Sequence, residues 1–165
     1  VTIPEPEADN TSYLFYKKCG FSSGRLILET TLPTGKYDCP EGTYSNHIPE
    51  SVIKSKPFIF GLSQASSRHM WEVANRRPKD YDKMTPTVIL GDGSCIQLSY
   101  FQGNDTALAL YWSSSPKKEI IKSILGLGYE NGLKNIEFLF FEEHRHFFED
   151  VPVEKYSVEF YKPVQ

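Results

Sequence analysis

The sequence predicts an α+β domain, a twisted antiparallel β-sheet packed on one principal α-helix. Three observations predict it. Short runs rich in β-branched and aromatic residues recur along the chain, with Gly, Pro, Asn and Asp between them. Helical periodicity is confined to a few stretches. The 165 residues, 39% hydrophobic and 14% aromatic, suit one domain with a sizeable core.

Residues 1–11 are acidic and proline-containing and read as a loose N-terminal arm. SYLFYKKC (12–19) and RLILETTL (25–32) read as a hairpin around GFSSG (20–24). PTGKYDCPEG (33–42) is rich in turn residues. IPESVIKSK (48–56) reads as a short helix, with Pro49 in its first turn and Pro57 as its stop. SQASSRHMWEVANRR (63–77) reads as a longer helix, with Met70, Val73 and Ala74 inward and Pro78 as its stop. RRPKDYDKMTP (76–86) is a polar loop.

TVIL (87–90) and CIQLSYF (95–101) form a hairpin around Gly91-Asp92-Gly93, and TALALYW (106–112) adds a strand. SPKKEIIKSILGLG (115–128) reads as an amphipathic helix. Ser115 caps it, Pro116 suits its first position, Ile120, Ile121, Ile124 and Leu125 share a face, and Gly126 ends it. KNIEFLFFEEH (134–144) and EKYSVEFYKP (154–163) are the last strands.

A net charge of −3 argues against a broad basic surface and so against tight nonspecific nucleic-acid binding. No apolar run is long enough to span a bilayer, and no membrane partner is expected. The chain starts at Val1, which a removed leader or a trimmed start both explain. Asn10-Thr11-Ser12 and Asn104-Asp105-Thr106 are glycosylation sequons if the chain is secreted. Cys19, Cys39 and Cys95 allow one disulfide and leave one thiol, and their spacing is wrong for a zinc knuckle. Secretion is the expectation.

FEEHRHFFED (141–150) gathers His144 and His146 among Glu142, Glu143, Glu149 and Asp150. On a strand the two histidines share one face and Arg145 points to the other. A metal site needs a third ligand that the pattern does not specify, and HExxH is absent. The expectation is a polar strand face near a chain reversal, where the acids raise the histidine pKa, with no metal and no cofactor. Arg68, Arg76, Arg77, Lys79 and Lys83 cluster in sequence around Trp71 and Tyr81. They read either as a solvated helix end or as a patch holding phosphates while aromatics stack on bases. No GxSxG elbow and no local cysteine-activation signature is present.

The order Tyr37-Asp38-Cys39, PEGTYSNHIPESVIKSK, a helix, PKDY (78–81), PTVIL (86–90) and GND-TALALYW (103–112) resembles the small secreted guanyl-specific ribonucleases of fungi. It is still more similar to the ribonuclease-like effectors that powdery mildew fungi secrete into cereal hosts. The resemblance covers about residues 37–112 and implies a ribonuclease-like sheet on one helix, to which this chain adds an N-terminal hairpin and a C-terminal extension. It also implies lost catalysis. Lys79 stands where the enzymes carry a histidine, Thr85 where they carry a catalytic glutamate, and Thr106 where they carry an arginine. A Cys39–Cys95 disulfide is the pairing the resemblance suggests.

The implied function is that of a secreted virulence effector. It would be a monomeric pseudoenzyme that binds a host protein, with RNA as a further ligand, and is recognised by a plant immune receptor. Its expected contacts are Arg76, Arg77, Lys79, Tyr81, Lys83, Glu142, His144 and His146. Two rivals differ in class. One is an active ribonuclease using Glu142, His144 and His146 on single-stranded RNA. The other is a secreted β-domain that stacks aromatics on a carbohydrate or small ligand.

Overall fold

The computed structural model describes residues 2–4, 11–61 and 83–161. Its strands are β1 (Thr2–Pro4), β2 (Ser22–Pro33), β3 (Gly42–Ser45), β4 (Phe58–Phe60), β5 (Lys83–Met84), β6 (Thr87–Leu90), β7 (Cys95–Phe101), β8 (Thr106–Trp112), β9 (Asn135–Phe141) and β10 (Glu154–Tyr161). Its helices are α1 (Thr11–Lys18), α2 (Glu50–Ser55) and α3 (Ile120–Glu130), followed by a 3-10 segment, Glu142–Phe148. The strands form one sheet in the order β1-β10-β2-β9-β8-β7-β6-β3, with β4 paired to β8 and β5 to β7.

One pairing departs from the antiparallel rule. β8 and β9 run parallel, from Thr106↔Asn135 to Leu108↔Glu137, and α3 makes the crossover between them. Beyond Leu108 the two strands separate, and β4 enters the gap. Phe58 and Phe60 pair with Trp112 and Tyr111, the Gly61 N–H donates to the Leu139 carbonyl (2.8 Å), and the Ser113 N–H to the Pro57 carbonyl (3.0 Å). Among the described residues, the expected antiparallel sheet on one principal helix is therefore corrected to a mixed sheet of ten strands with few helices; the expected helix 63–77 lies outside those residues.

Side-chain alternation along β8 sorts the core onto two faces. Ala107, Ala109 and Tyr111 join Ile121, Ile124, Leu125 and Leu127 of α3 in the larger apolar cluster. Leu110 and Trp112 join Ile48, Val52 and Cys95 on the opposite face, beside α2. Phe60 lies in the larger cluster with its ring 5.5 Å from Tyr111, 5.9 Å from Phe138 and 5.3 Å from Phe147.

The expected N-terminal hairpin is not formed, because residues 11–18 are helical. Leu14, Phe15 and Tyr16 are consecutive rather than alternating, Lys17 and Lys18 complement the helix C-terminus, and Gly20 at φ 80° ends it. Gly126 does not end α3, which runs on to Glu130. A Cβ at Gly126 would lie 2.6 Å from the Tyr37 carbonyl oxygen, so this glycine lets residues 37–38 cross the helix closely. Ser115 is no cap, since α3 starts at Ile120 and Glu119 precedes it without a side-chain cap bond.

Candidate functional site

The histidine stretch is not a strand. β9 ends at Phe141, and residues 142–148 turn into the 3-10 segment. In a 3-10 turn residues three apart eclipse, so the two-residue spacing no longer puts both histidines on one face. What selects this geometry is burial. Phe147 and Phe148 are 4% and 2% exposed, and Phe148 stacks on Phe140 at 4.4 Å. The Arg145 guanidinium donates to the Phe148 carbonyl and ties the segment to itself. Glu142, Glu143, Glu149 and Asp150 are left exposed around this anchor.

The imidazole rings of His144 and His146 stand 6.4 Å apart, and His146 packs on Phe147 at 4.3 Å. His146 Nδ1 lies 3.1 Å from the Glu143 carbonyl oxygen. Burial pushes His144 below its ordinary value, and His146 and Arg25 add to this against the pull of Glu143. The expectation that the acids raise the histidine pKa is thus reversed for His144, where burial outweighs the 3.8 Å contact with the Glu143 carboxylate. Arg25 holds the base of the segment, stacked over Phe141 at 3.5 Å and paired with Glu159 at 3.2 Å. Among the described residues no group of His, Cys, Asp and Glu is arranged to hold a metal ion.

Of the expected basic contacts, Arg76, Arg77, Lys79 and Tyr81 lie outside the described residues, as do Arg68 and Trp71. Lys83 is described. It sits on β5 opposite Phe101, and burial lowers its pKa. Among the described residues, then, the acidic contact group forms one surface segment and Lys83 stands on a different element.

The cysteines are free thiols. Cys95 packs in the cluster beside α2, where burial pushes its pKa up to about 12. Cys39 lies in the segment that crosses α3 on the other face, and burial, Glu130 and Asp38 raise its pKa. The sheet stands between them, so the Cys39–Cys95 bridge suggested by the resemblance is not formed.

Sequence reasoning missed a second constellation at the C-terminal end of β8. Asp92 accepts the Ser94 N–H (2.8 Å) and the Ser94 hydroxyl (2.9 Å). Ser94 and Ser113 hydroxyls meet at 2.9 Å, and the Ser113 oxygen accepts the Ser115 N–H (3.1 Å). The Tyr111 phenol joins the same two serines, while burial holds it neutral by raising its pKa. Backbone bonding from Ser94 holds Asp92 below the usual carboxylate range. Asp92 and Tyr111 line a cavity of about 370 Å³ beside the start of α3, with Ser115, Lys117 and Ser123. The Asp-Gly turn and the serine run SSS (113–115) were visible in sequence, but nothing local told that they meet.

No family model matches the sequence, and no curated protein matches it. Among solved structures the chain is similar to the crystal structure of a GCN5-related N-acetyltransferase from Sphaerobacter thermophilus. The TM-score is 0.52 at 14% identity, over 98% of this chain and 59% of that one. The chain thus spans 59% of the length of the protein it matches. This likeness overturns the resemblance to ribonucleases and ribonuclease-like effectors: the fold is like that of the GCN5-related N-acetyltransferase, a mixed sheet with a helical crossover between parallel strands.

Proposed function

We propose that this chain works by binding a protein partner through the acidic ridge formed by Glu142, Glu143, Glu149 and Asp150. The single observation that carries this reading is that the ridge is anchored: two buried phenylalanines fix the backbone while the four carboxylates stay exposed, with Glu143 beside Arg25 and with Glu149 and Asp150 beside Lys118. A preorganised charged surface loses little freedom on association and steers a partner of opposite sign. The partner is then a protein with a basic face. RNA suits the ridge poorly, because carboxylates repel phosphates.

Secretion and a host-protein partner belong to the same proposal. The exposed Asn104 sequon, on the turn between β7 and β8, supports the first. A fold is not a reaction, so the acetyl transfer that names the Sphaerobacter protein stays with that protein.

The test compares the chain with a Glu142→Lys/Glu143→Lys/Glu149→Lys variant of equal thermal stability, each immobilised and exposed to leaf extract. Proteins held by the first, released by salt and lost from the second are the expected result. Equal retention by both would remove the ridge as the contact. A parallel incubation with labelled single-stranded RNA checks the catalytic rival. Cleavage that disappears in a His144→Ala/His146→Ala variant would replace the binding reading with an enzyme.

A further inference from the structure

The cavity beside the start of α3 has a chemistry of its own, apart from the acidic ridge. Four separate pieces of chain line it as an open groove, with Asp92 and Lys117 exposed at its rim: residues 40–41, the β6–β7 turn, the end of β8 with the loop after it, and the first turns of α3. Its volume of about 370 Å³ falls within the ordinary range for small-molecule sites. Leu90 and Ile120 give it an apolar wall. Around that wall stand a carboxylate, Asp92; a phenol, Tyr111; an ammonium, Lys117; and a hydroxyl, Ser123.

The polar groups are prepared rather than incidental. The Asp92 oxygens each accept one bond from Ser94, and the nearby Lys56 charge also favours the carboxylate. Tyr111 is 3% exposed, and Ser94 and Ser113 are fully buried behind it, so the network is fixed before any ligand arrives. Glu41 and Glu119 add carboxylates at the lining, against the one lysine. That balance disfavours an anion. Among the described residues no group of these acids is arranged to hold a metal ion. A neutral ligand with several hydroxyls satisfies the set. Neighbouring hydroxyls donate to the carboxylates and accept from Lys117, while carbon–hydrogen faces lie on Leu90 and Ile120.

From this geometry we infer that the cavity bounded by Asp92, Tyr111, Lys117 and Ser123 is a binding site for a neutral polyhydroxylated ligand, a pyranose sugar. The site makes no chemical change in the ligand and is separate from the ridge.

The experiment titrates the 15N-labelled chain with glucose, mannose, galactose and N-acetylglucosamine, each alone. Saturable amide shifts at Gly91, Asp92, Ser115, Lys117 and Ser123 are expected with at least one sugar. Asp92→Asn weakens binding by about tenfold or more, since a hydrogen bond to a charged group is lost. Ser123→Leu fills the cavity from a helix position that tolerates leucine, and abolishes the shifts. The ridge charge-reversal variant binds the sugar unchanged, which separates a failure here from a failure of the ridge. Absence of shifts with all four sugars would overturn the site. So would shifts that persist unaltered in both Asp92→Asn and Ser123→Leu.

Discussion

At the scale of single residues, two titratable side chains are held against their preference. Glu29 of β2 lies opposite Glu154 of β10, and burial with the Glu137 and Glu154 charges raises its pKa. Its folded pKa therefore stands above its unfolded value, and the native state holds a proton that the unfolded chain has lost. Stability then falls as pH rises through that window, and below the unfolded value of about 4.5 the penalty is absent. Glu29→Gln should raise Tm at pH 7 and do little at pH 4; relief of a like-charge cross-strand pair is worth roughly 0.5 kcal/mol. A gain of equal size at both pH values would assign the effect to packing. His144 carries the opposite sign. Burial lowers its folded pKa, so the unfolded chain takes up the proton first, and stability is lost as pH falls below about 6.5. His144→Gln should flatten the slope of Tm against pH between 7 and the folded pKa, and an unchanged slope would place the acid sensitivity elsewhere.

At the scale of elements, short inserted pieces depend on glycine and on aromatic anchors. Gly61 closes β4 at φ 136°, and a Cβ there would lie 2.4 Å from Leu110 Cδ2 and from Phe58 Cζ. Gly61→Ala is expected to destabilise the protein by more than about 1 kcal/mol, combining a backbone penalty with a clash. Chemical denaturation measures it, and a neutral result would show that β4 can shift in the gap. The elements differ in how well their sequences announced them. TVIL, CIQLSYF and TALALYW have the bounds their composition indicates, because β-branched and aromatic runs with turns at both ends match β6, β7 and β8. SYLFYKKC deceived because a β-rich composition sits between helix-compatible ends. EEHRHFF carries no turn residue, so only the burial of Phe147 and Phe148 decides its 3-10 path. The Asp92–Ser94–Ser113–Tyr111 network joins a turn to a strand end, and a linear reading does not bring them together.

At the scale of the whole molecule, β8 is the member that every layer shares. It bonds to β7, β9 and β4, and its alternate side chains enter both apolar clusters. The parallel pairing and the insertion of β4 are long-range choices, which is why a series of strands did not foretell a mixed sheet. Because Tyr111 and Trp112 are adjacent and face opposite clusters, neither cluster can dissolve without disturbing β8. Phe60→Ala should therefore cost about 3–5 kcal/mol, the range for a buried phenylalanine, and its effect should extend beyond the cluster it lines. Native-state hydrogen exchange reads this directly. Amides of β7, β8 and β9 are expected to exchange last and together, through global unfolding, while those of β1 and β3 at the two ends of the sheet exchange earlier. In Phe60→Ala, protection of Cys95 and Trp112, on the α2 side, should fall by the same free energy as that of Ile136 and Phe138, on the α3 side. If protection fell only on the α3 side, the two faces would unfold as separate units, and β8 would be a shared wall rather than the strand that makes the fold cooperative.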